Sequence, residues 1–168
     1  GIECGSVQLN LPQMLKRKDG VVSANTSGVE YLFRKNKITH LKGWGSLDNA
    51  NTLRVKDSSG NSTTHQAKHI IIASGSAPIE LPFAPFDHQQ IVDSTDALSF
   101  AQVPKHLVVV GAGVIGLELG SVWQRLGAEV TVIEALDRIL GDTDVEISTG
   151  LMRSLKKQGM TIHLGAKV

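Results

Sequence analysis

An apolar run, His106-Leu-Val-Val-Val110, leads directly into Gly111-Ala-Gly-Val-Ile-Gly116, and a second apolar run, Val130-Thr-Val-Ile133, ends on an acid, Glu134. A GxGxxG hexad alone occurs by chance in many chains. Set between a buried strand and a helix, with an acid about 20 residues on, it marks the first β-α-β turn of a doubly wound α/β sheet. Glycine at 111 permits the tight turn, at 113 it leaves room for a pyrophosphate, and at 116 it lets the helix lie close to the sheet. The helix N-terminus then offers unpaired N–H groups and partial positive charge to the phosphates. The plainer alternative is a strand-to-helix turn that needs glycine for its backbone alone.

Glu134 is placed to accept both hydroxyls of an adenosine ribose, and its charge opposes a 2′-phosphate, which favours NAD over NADP. Arg138, four residues on, keeps NADP open. A solvated surface acid is the other reading of Glu134.

The sequence from Lys105 onward continues the same pattern. It predicts a strand over Leu107–Val110, a helix over Val114–Leu126, a strand over Glu129–Ile133, a helix over Val145–Gln158 and a strand over Thr161–Leu164. Thr143-Asp-Val-Glu146 reads as a capping box for the second helix, and Gly159 as its stop.

Upstream, Leu11, Met14, Leu15, Val21, Val22, Val29, Leu32 and Phe33 recur at three- and four-residue steps, which predicts an amphipathic helix weakened locally by Gly20 and Gly28. Short extended segments are expected at Ile38–Leu41, Thr52–Lys56 and Gln66–Ala73, separated by turns at Asp48-Asn-Ala-Asn51 and Asp57-Ser-Ser-Gly-Asn61. They suggest an antiparallel meander feeding His69-Ile-Ile-Ile-Ala73, whose lack of polar alternation predicts a strand covered on both faces. Pro78, Pro82 and Pro85 mark an irregular crossing, Ser94–Phe100 reads as a short helix, and a domain boundary is expected near 92–104.

Composition excludes several classes. Lys plus Arg number 17 against 16 Asp plus Glu, so no bulk field favours nucleic acid or an anionic membrane. The basic runs Lys16-Arg-Lys18 and Arg34-Lys-Asn-Lys37 read as solvated faces, with no interleaved aromatics to stack bases. No apolar run nears the roughly 20 residues of a membrane span. The single cysteine, Cys4, cannot form an internal disulfide and fits a reducing compartment; it reads as a lone small residue. The six histidines lack metal-ligand spacing, and no nucleophile motif is present. The chain begins without an initiator Met, so a piece of a longer protein is expected.

The stretch from Val109 through Gly111-Ala-Gly-Val-Ile-Gly-Leu-Glu118 to Glu134 closely resembles the NAD-binding segment of the dihydrolipoamide dehydrogenases. Gly43-Trp-Gly45, Ile70-Ile-Ile-Ala-Ser-Gly-Ser76 and Ile91-Val-Asp-Ser-Thr-Asp-Ala-Leu98 resemble that family's middle region, so nearly the whole chain is covered. The resemblance implies a three-layer α/β fold of FAD/NAD-linked reductases: residues 1–103 as the end of an FAD-binding domain and crossover, and 104–168 as an incomplete, Rossmann-like NAD-binding domain. It further implies that Gly45, Ser74, Gly75 and Ser76 lie against FAD. Ser74 stands where the family usually has Thr. Gly111, Ala112, Gly113, Val114, Ile115, Gly116, Leu117 and Glu118 would hold the NAD pyrophosphate and nicotinamide ribose, Glu134 the adenine ribose, and Val168 would lie beside the cofactor.

By the same resemblance the parent is a homodimer that oxidises dihydrolipoamide on lipoyl domains of 2-oxoacid dehydrogenase complexes. The expected site is bacterial cytoplasm, or alternatively the mitochondrial matrix. The family's N-terminal FAD glycine loop, CxxxxC redox pair and C-terminal His-Glu pair have no counterpart in these 168 residues. No catalytic residue or metal ligand is therefore assigned within the chain, and the segment alone is expected to be inactive. A non-catalytic nucleotide-binding module, or a related mercuric or glutathione reductase, are the alternatives. Glutathione reductases normally carry Ala at position 116 and arginines after the second strand, unlike Gly116 and Glu134 here.

Overall fold

A computed structural model describes residues 1, 3 and 5–168. They form two compact units, Gly1–Lys16 with Pro78–Val168, and Arg17–Ala77. The expectation for Cys4 falls outside the described residues. Helix α1 (Leu11–Lys35) begins in the first unit and continues through the second.

The first unit contains a parallel sheet of β4 (His106–Val110), β5 (Glu129–Ile133) and β6 (Thr161–His163), hydrogen-bonded in that order. Helix α2 (Val114–Arg125) connects β4 to β5, and α3 (Val145–Lys157) connects β5 to β6. The β-α-β-α-β order read from the sequence is thus realised, with every limit within one residue. Register sets Val109 beside Val132 and Val132 beside Ile162. Because side chains alternate across a strand, these three share the face on which Val130 and Val132 are buried together with Leu117, Trp123, Leu155 and Met160. Burial of each such aliphatic side chain contributes about 1.5–3 kcal/mol. Leu11, with Met14 and Leu15 beside it, joins the same core. On the opposite face Val108 and Val110 remain about half exposed.

Two helix ends explain why the unit closes locally. At the end of α3, Met160 N–H donates to the Leu155 carbonyl (3.1 Å) and Gly159 N–H to Lys156 (3.0 Å), with Gly159 at φ +99°. At the end of α2, Ala128 N–H reaches the Trp123 carbonyl (3.0 Å) and Gly127 N–H reaches Gln124 (3.0 Å). Both are Schellman closures, and in each the two flanking apolar residues are buried. Gly159 was the expected stop. The start of α3 differs from its reading: Asp144, not Thr143, is the cap, its carboxylate accepting Glu146 N–H (2.9 Å) and Ile147 N–H (3.4 Å). Thr143 is instead drawn into the preceding turn by its N–H bond to Leu140.

In the second unit, β1 (Trp44–Asn49), β2 (Thr52–Lys56) and β3 (Ser62–Gln66) form the antiparallel meander. Its turns fall at the two expected clusters, the second held by Asp57, whose carboxylate accepts the N–H groups of Ser59 and Asn61. Two expected strands are absent. Residues 38–41 have no regular structure, and the first strand starts later, at Trp44, where pairing with Lys56 begins. Beyond Gln66 the run His69-Ile-Ile-Ile-Ala73 is neither a strand nor buried: Ile71 is 91 % exposed and Ile72 75 %. No described segment pairs with it, so its backbone groups have no ladder.

Helix α1 forms as read. Asn10 Oδ1 accepts Gln13 N–H (3.1 Å), Pro12 occupies the first turn, and Lys37 at φ +55° follows the last. Beyond Leu15, however, its apolar stripe is poorly covered: Val21, Val22, Val29 and Leu32 are each about half exposed. The expected Ser94–Phe100 helix contracts to a 3₁₀ turn at Asp96–Leu98.

Candidate functional site

The predicted residues of the glycine loop gather at the carboxyl end of the parallel sheet, where doubly wound folds place ligands. Gly111 leaves β4 at φ +96°, a backbone region that favours glycine, and its N–H donates to the Ile133 carbonyl of β5 (2.8 Å). Gly113 is the N-cap residue of α2, extended at φ −77° and ψ 174°, with no side chain capping the first turn. A Cβ built on Gly113 would meet nothing within 4 Å. The space before the helix is therefore open, and the first-turn N–H groups face it without a side-chain partner. No acid stands in that first turn to compete for an anion. Gly116 has the opposite surroundings, because a Cβ there would sit 2.8 Å from Val109 Cγ1 and 3.0 Å from the Gly111 carbonyl oxygen. Glycine at 113 keeps a space empty, whereas glycine at 116 lets helix and strand touch.

Glu134 lies at the end of β5, half-buried, and its carboxylate reaches back to the loop. Oε2 accepts Ala112 N–H at 2.6 Å, and Oε1 accepts Leu136 N–H at 2.8 Å. Ala112 is buried, and its carbonyl accepts Leu140 N–H at 3.0 Å. The loop and the acid, separated by more than twenty residues, thus form one constellation. Leu117 is buried in the core, whereas Val114, Ile115 and Glu118 are exposed on α2. Val168 is exposed, two residues beyond the Ala166 N–H that donates to the Glu134 carbonyl (2.9 Å). Arg138 donates to the Gly141 carbonyl within its own loop.

The second unit carries the remaining predicted residues. Gly45 lies in β1 opposite Val55. Ser74, Gly75 and Ser76 lie in an exposed segment without regular structure, with Gly75 at φ +73°. Among the described residues no hydrogen bond joins Gly45 to that stretch.

Several contacts had no counterpart in the sequence reading. Leu140 contributes through its backbone at φ +50°, for which no residue type gives a signal. Asp144 as cap was legible as the acid immediately preceding an apolar helix. In the crossover, His88 Nδ1 lies 2.8 Å from Asp96 Oδ2. That hydrogen bond, with the charge of the carboxylate, holds the imidazole above its usual 6.5, and the same bond together with the Asp93 N–H holds the Asp96 carboxyl below 3.8. The turn at Asp96 is fastened to α2 by Trp123, whose Nε1 donates to the Ala97 carbonyl (2.9 Å) while its ring packs on Phe100. A broad surface hollow lies elsewhere, along the outer face of α3, and contains none of the predicted residues. Among the described residues no group of three or more His, Cys, Asp or Glu is placed to hold a metal, and no helix is long and apolar enough to cross a membrane.

Comparison with known proteins gives this geometry its context. The sequence profile of the pyridine nucleotide-disulphide oxidoreductases matches residues 5–168. The chain is 59 % identical over 160 residues to dihydrolipoyl dehydrogenase 3 of Pseudomonas putida, covering 95 % of this chain and 34 % of that protein. It is 46 % identical over 168 residues to the mitochondrial dihydrolipoyl dehydrogenase of Dictyostelium discoideum, covering 100 % and 34 %. Among solved structures it superposes on LpdA from Mycobacterium tuberculosis with a TM-score of 0.84 at 25 % identity, over 97 % of this chain and 37 % of that one. It therefore spans about a third of the length of the curated relatives that it matches. With the profile matching almost every residue, the chain belongs to the pyridine nucleotide-disulphide oxidoreductase family.

Proposed function

We propose that this chain is the central segment of a dihydrolipoamide dehydrogenase, joining the end of an FAD-binding domain (1–103) to most of an NAD-binding domain (104–168). The observation that carries the cofactor assignment is the link between Glu134 and the Ala112 N–H across an open, uncapped helix start. The enzyme assignment is supported by the named relatives that align along nearly the whole chain.

The residues fit a dinucleotide. The vacant volume beside Gly113 accepts a pyrophosphate against the first-turn N–H groups of Val114, Ile115 and Gly116, where the helix dipole favours negative charge. Glu134 keeps acceptor capacity for ribose hydroxyls, since a carboxylate has about four lone-pair sites. Its negative charge disfavours a 2′-phosphate, and Arg138 is engaged with Gly141, so NAD is preferred over NADP. Glu118, exposed on α2, is assigned to the nicotinamide side, and Val168 to the flank of the cofactor. Gly75, with its left-handed backbone, together with Gly45, Ser74 and Ser76, is assigned to FAD. When bound, FAD supplies a two-electron relay and NAD⁺ the final hydride acceptor. The residues of this chain bind and orient them; the thiol chemistry and the general base belong to parts of the family pattern without counterpart in these 168 residues.

Lipoyl domains of 2-oxoacid dehydrogenase complexes are the proposed partners and a homodimer the proposed assembly. The proposed location is bacterial cytoplasm, with the mitochondrial matrix as the second reading. The test is an assay of the full-length protein carrying this segment. Dihydrolipoamide-dependent reduction of NAD⁺ by a yellow, flavin-containing protein supports the proposal. Turnover of glutathione disulfide or mercuric ion instead, with dihydrolipoamide inert, transfers the assignment to a related reductase.

A further inference from the structure

We infer that Glu134 positions the glycine loop before any nucleotide arrives, by gripping the Ala112 peptide, in addition to the ribose contact proposed above. Both of its oxygens are engaged by backbone: Oε2 by Ala112 N–H at 2.6 Å and Oε1 by Leu136 N–H at 2.8 Å. The other polar group of Ala112 is taken as well, since its carbonyl accepts Leu140 N–H at 3.0 Å. Ala112 is thus clamped through its N–H and its C=O by the single loop that follows β5.

The clamp has a rigid base. Glu134 itself is fixed by its own backbone, which donates to the His163 carbonyl (2.8 Å) and accepts from Ala166 N–H (2.9 Å). At the far end of the loop Ile139 is fully buried, and its carbonyl accepts the buried Ser148 hydroxyl at 2.7 Å. Ala112 is only 1 % exposed, so water does not readily replace Glu134 there. Loss of the carboxylate leaves a buried N–H without an acceptor, the costly half of the hydrogen-bond balance. Glutamine can serve only one of the two N–H groups, because its amide would turn an NH₂ donor toward the other. Each oxygen, engaged by one N–H, keeps acceptor capacity for a hydroxyl of a ligand.

The first arm of the test needs no nucleotide. Amide hydrogen exchange is followed in the full-length protein carrying this segment and in its Glu134→Gln and Glu134→Ala variants, with Val132 of β5 as the reference for an intact sheet. The clamp predicts that Ala112 is strongly protected in the unaltered protein and exchanges roughly ten- to hundredfold faster in Glu134→Ala, that at least one of Ala112 and Leu136 exchanges faster in Glu134→Gln, and that Val132 is unchanged. Ala112 exchanging at the rate of an open loop in the unaltered protein overturns the inference whatever the variants do, and so does unchanged Ala112 protection in Glu134→Ala. The second arm rests on the NAD reading. It compares calorimetric binding of NAD⁺ and of its analogue lacking both adenosine ribose hydroxyls. If Glu134 served the ribose alone, the analogue would bind the unaltered protein and Glu134→Ala equally. A positioning role weakens the analogue as well, by about tenfold. If neither nucleotide binds the unaltered protein, the cofactor assignment fails while the exchange arm still decides the clamp.

Discussion

His106-Leu-Val-Val-Val110 and His69-Ile-Ile-Ile-Ala73 are alike as sequences, each a histidine followed by an unbroken apolar run, yet the first is a strand and the second has no regular structure. The difference lies in their neighbours. β4 is followed within the same chain by a helix that covers its Val109 face and by β5, which pairs with all five of its residues. The 69–73 run has no pairing partner among the described residues, and two of its isoleucines are almost wholly exposed. An apolar run specifies a strand only where the chain also provides a ladder and a cover, because a backbone removed from water must pair.

The largest expected effect tests the cover. Trp123 is buried, hydrogen-bonded through its ring and packed on Phe100, whereas Trp44 is 82 % exposed. Trp123→Ala is expected to lower unfolding stability by about 3–5 kcal/mol in denaturant titration. Trp44→Ala is expected to change it by less than about 0.5 kcal/mol. Equal losses would erase the distinction between the two regions. Gly116→Val comes next, since its Cβ would press on Val109 and on the Gly111 carbonyl; a loss of about 3 kcal/mol is expected in the same measurement. The contrasting glycine is Gly28 in α1, where an added Cβ meets nothing, so Gly28→Ala should stabilise by about 1 kcal/mol.

The smallest effect concerns the crossover. His88 titrates above 6.5 because of its hydrogen bond and charge contact with Asp96, so its stabilising contribution is complete below pH 6.5 and fades as pH rises through the raised value. Asp96, lowered by His88 and by the Asp93 N–H, contributes above pH 3.8 and is lost as pH falls through its depressed value. An NMR titration of the His88 ring with a midpoint above 6.5 agrees with this pairing, and a midpoint at or below 6.5 contradicts it.

These contrasts explain what could be read from the sequence. Across 106–163 every strand and helix was legible, because period, turn and stop signals agree with tertiary partners present in the same chain. Within the site, the glycines and Glu134 could be named from spacing, but their direct contact at Ala112 could not. The hold of Leu140 on Ala112 was invisible because it is made through the backbone N–H. The capping-box pattern Thr143-Asp-Val-Glu146 points to Thr143, yet Asp144 caps the helix because the Thr143 N–H is held in the preceding turn by the Leu140 carbonyl. In 38–41 and 69–73 the pattern was real, but pairing is not a local property. The stripe on α1 teaches the same lesson for a helix, which forms through its cap and hydrogen bonds even where half of its apolar face remains exposed.

The central claim is that the loop at Gly113 receives a dinucleotide pyrophosphate, and calorimetric titration of NAD⁺ into the full-length protein and its Gly113→Val variant tests it most directly. Residue 113 has an extended backbone that valine adopts readily, and a Cβ there strikes no protein atom, so the variant should fold, losing only about 1 kcal/mol for valine at the N-cap. Saturable binding to the unaltered protein, weakened by about a hundredfold or more in Gly113→Val, is the predicted result. Equal NAD⁺ affinity in the two proteins would contradict it.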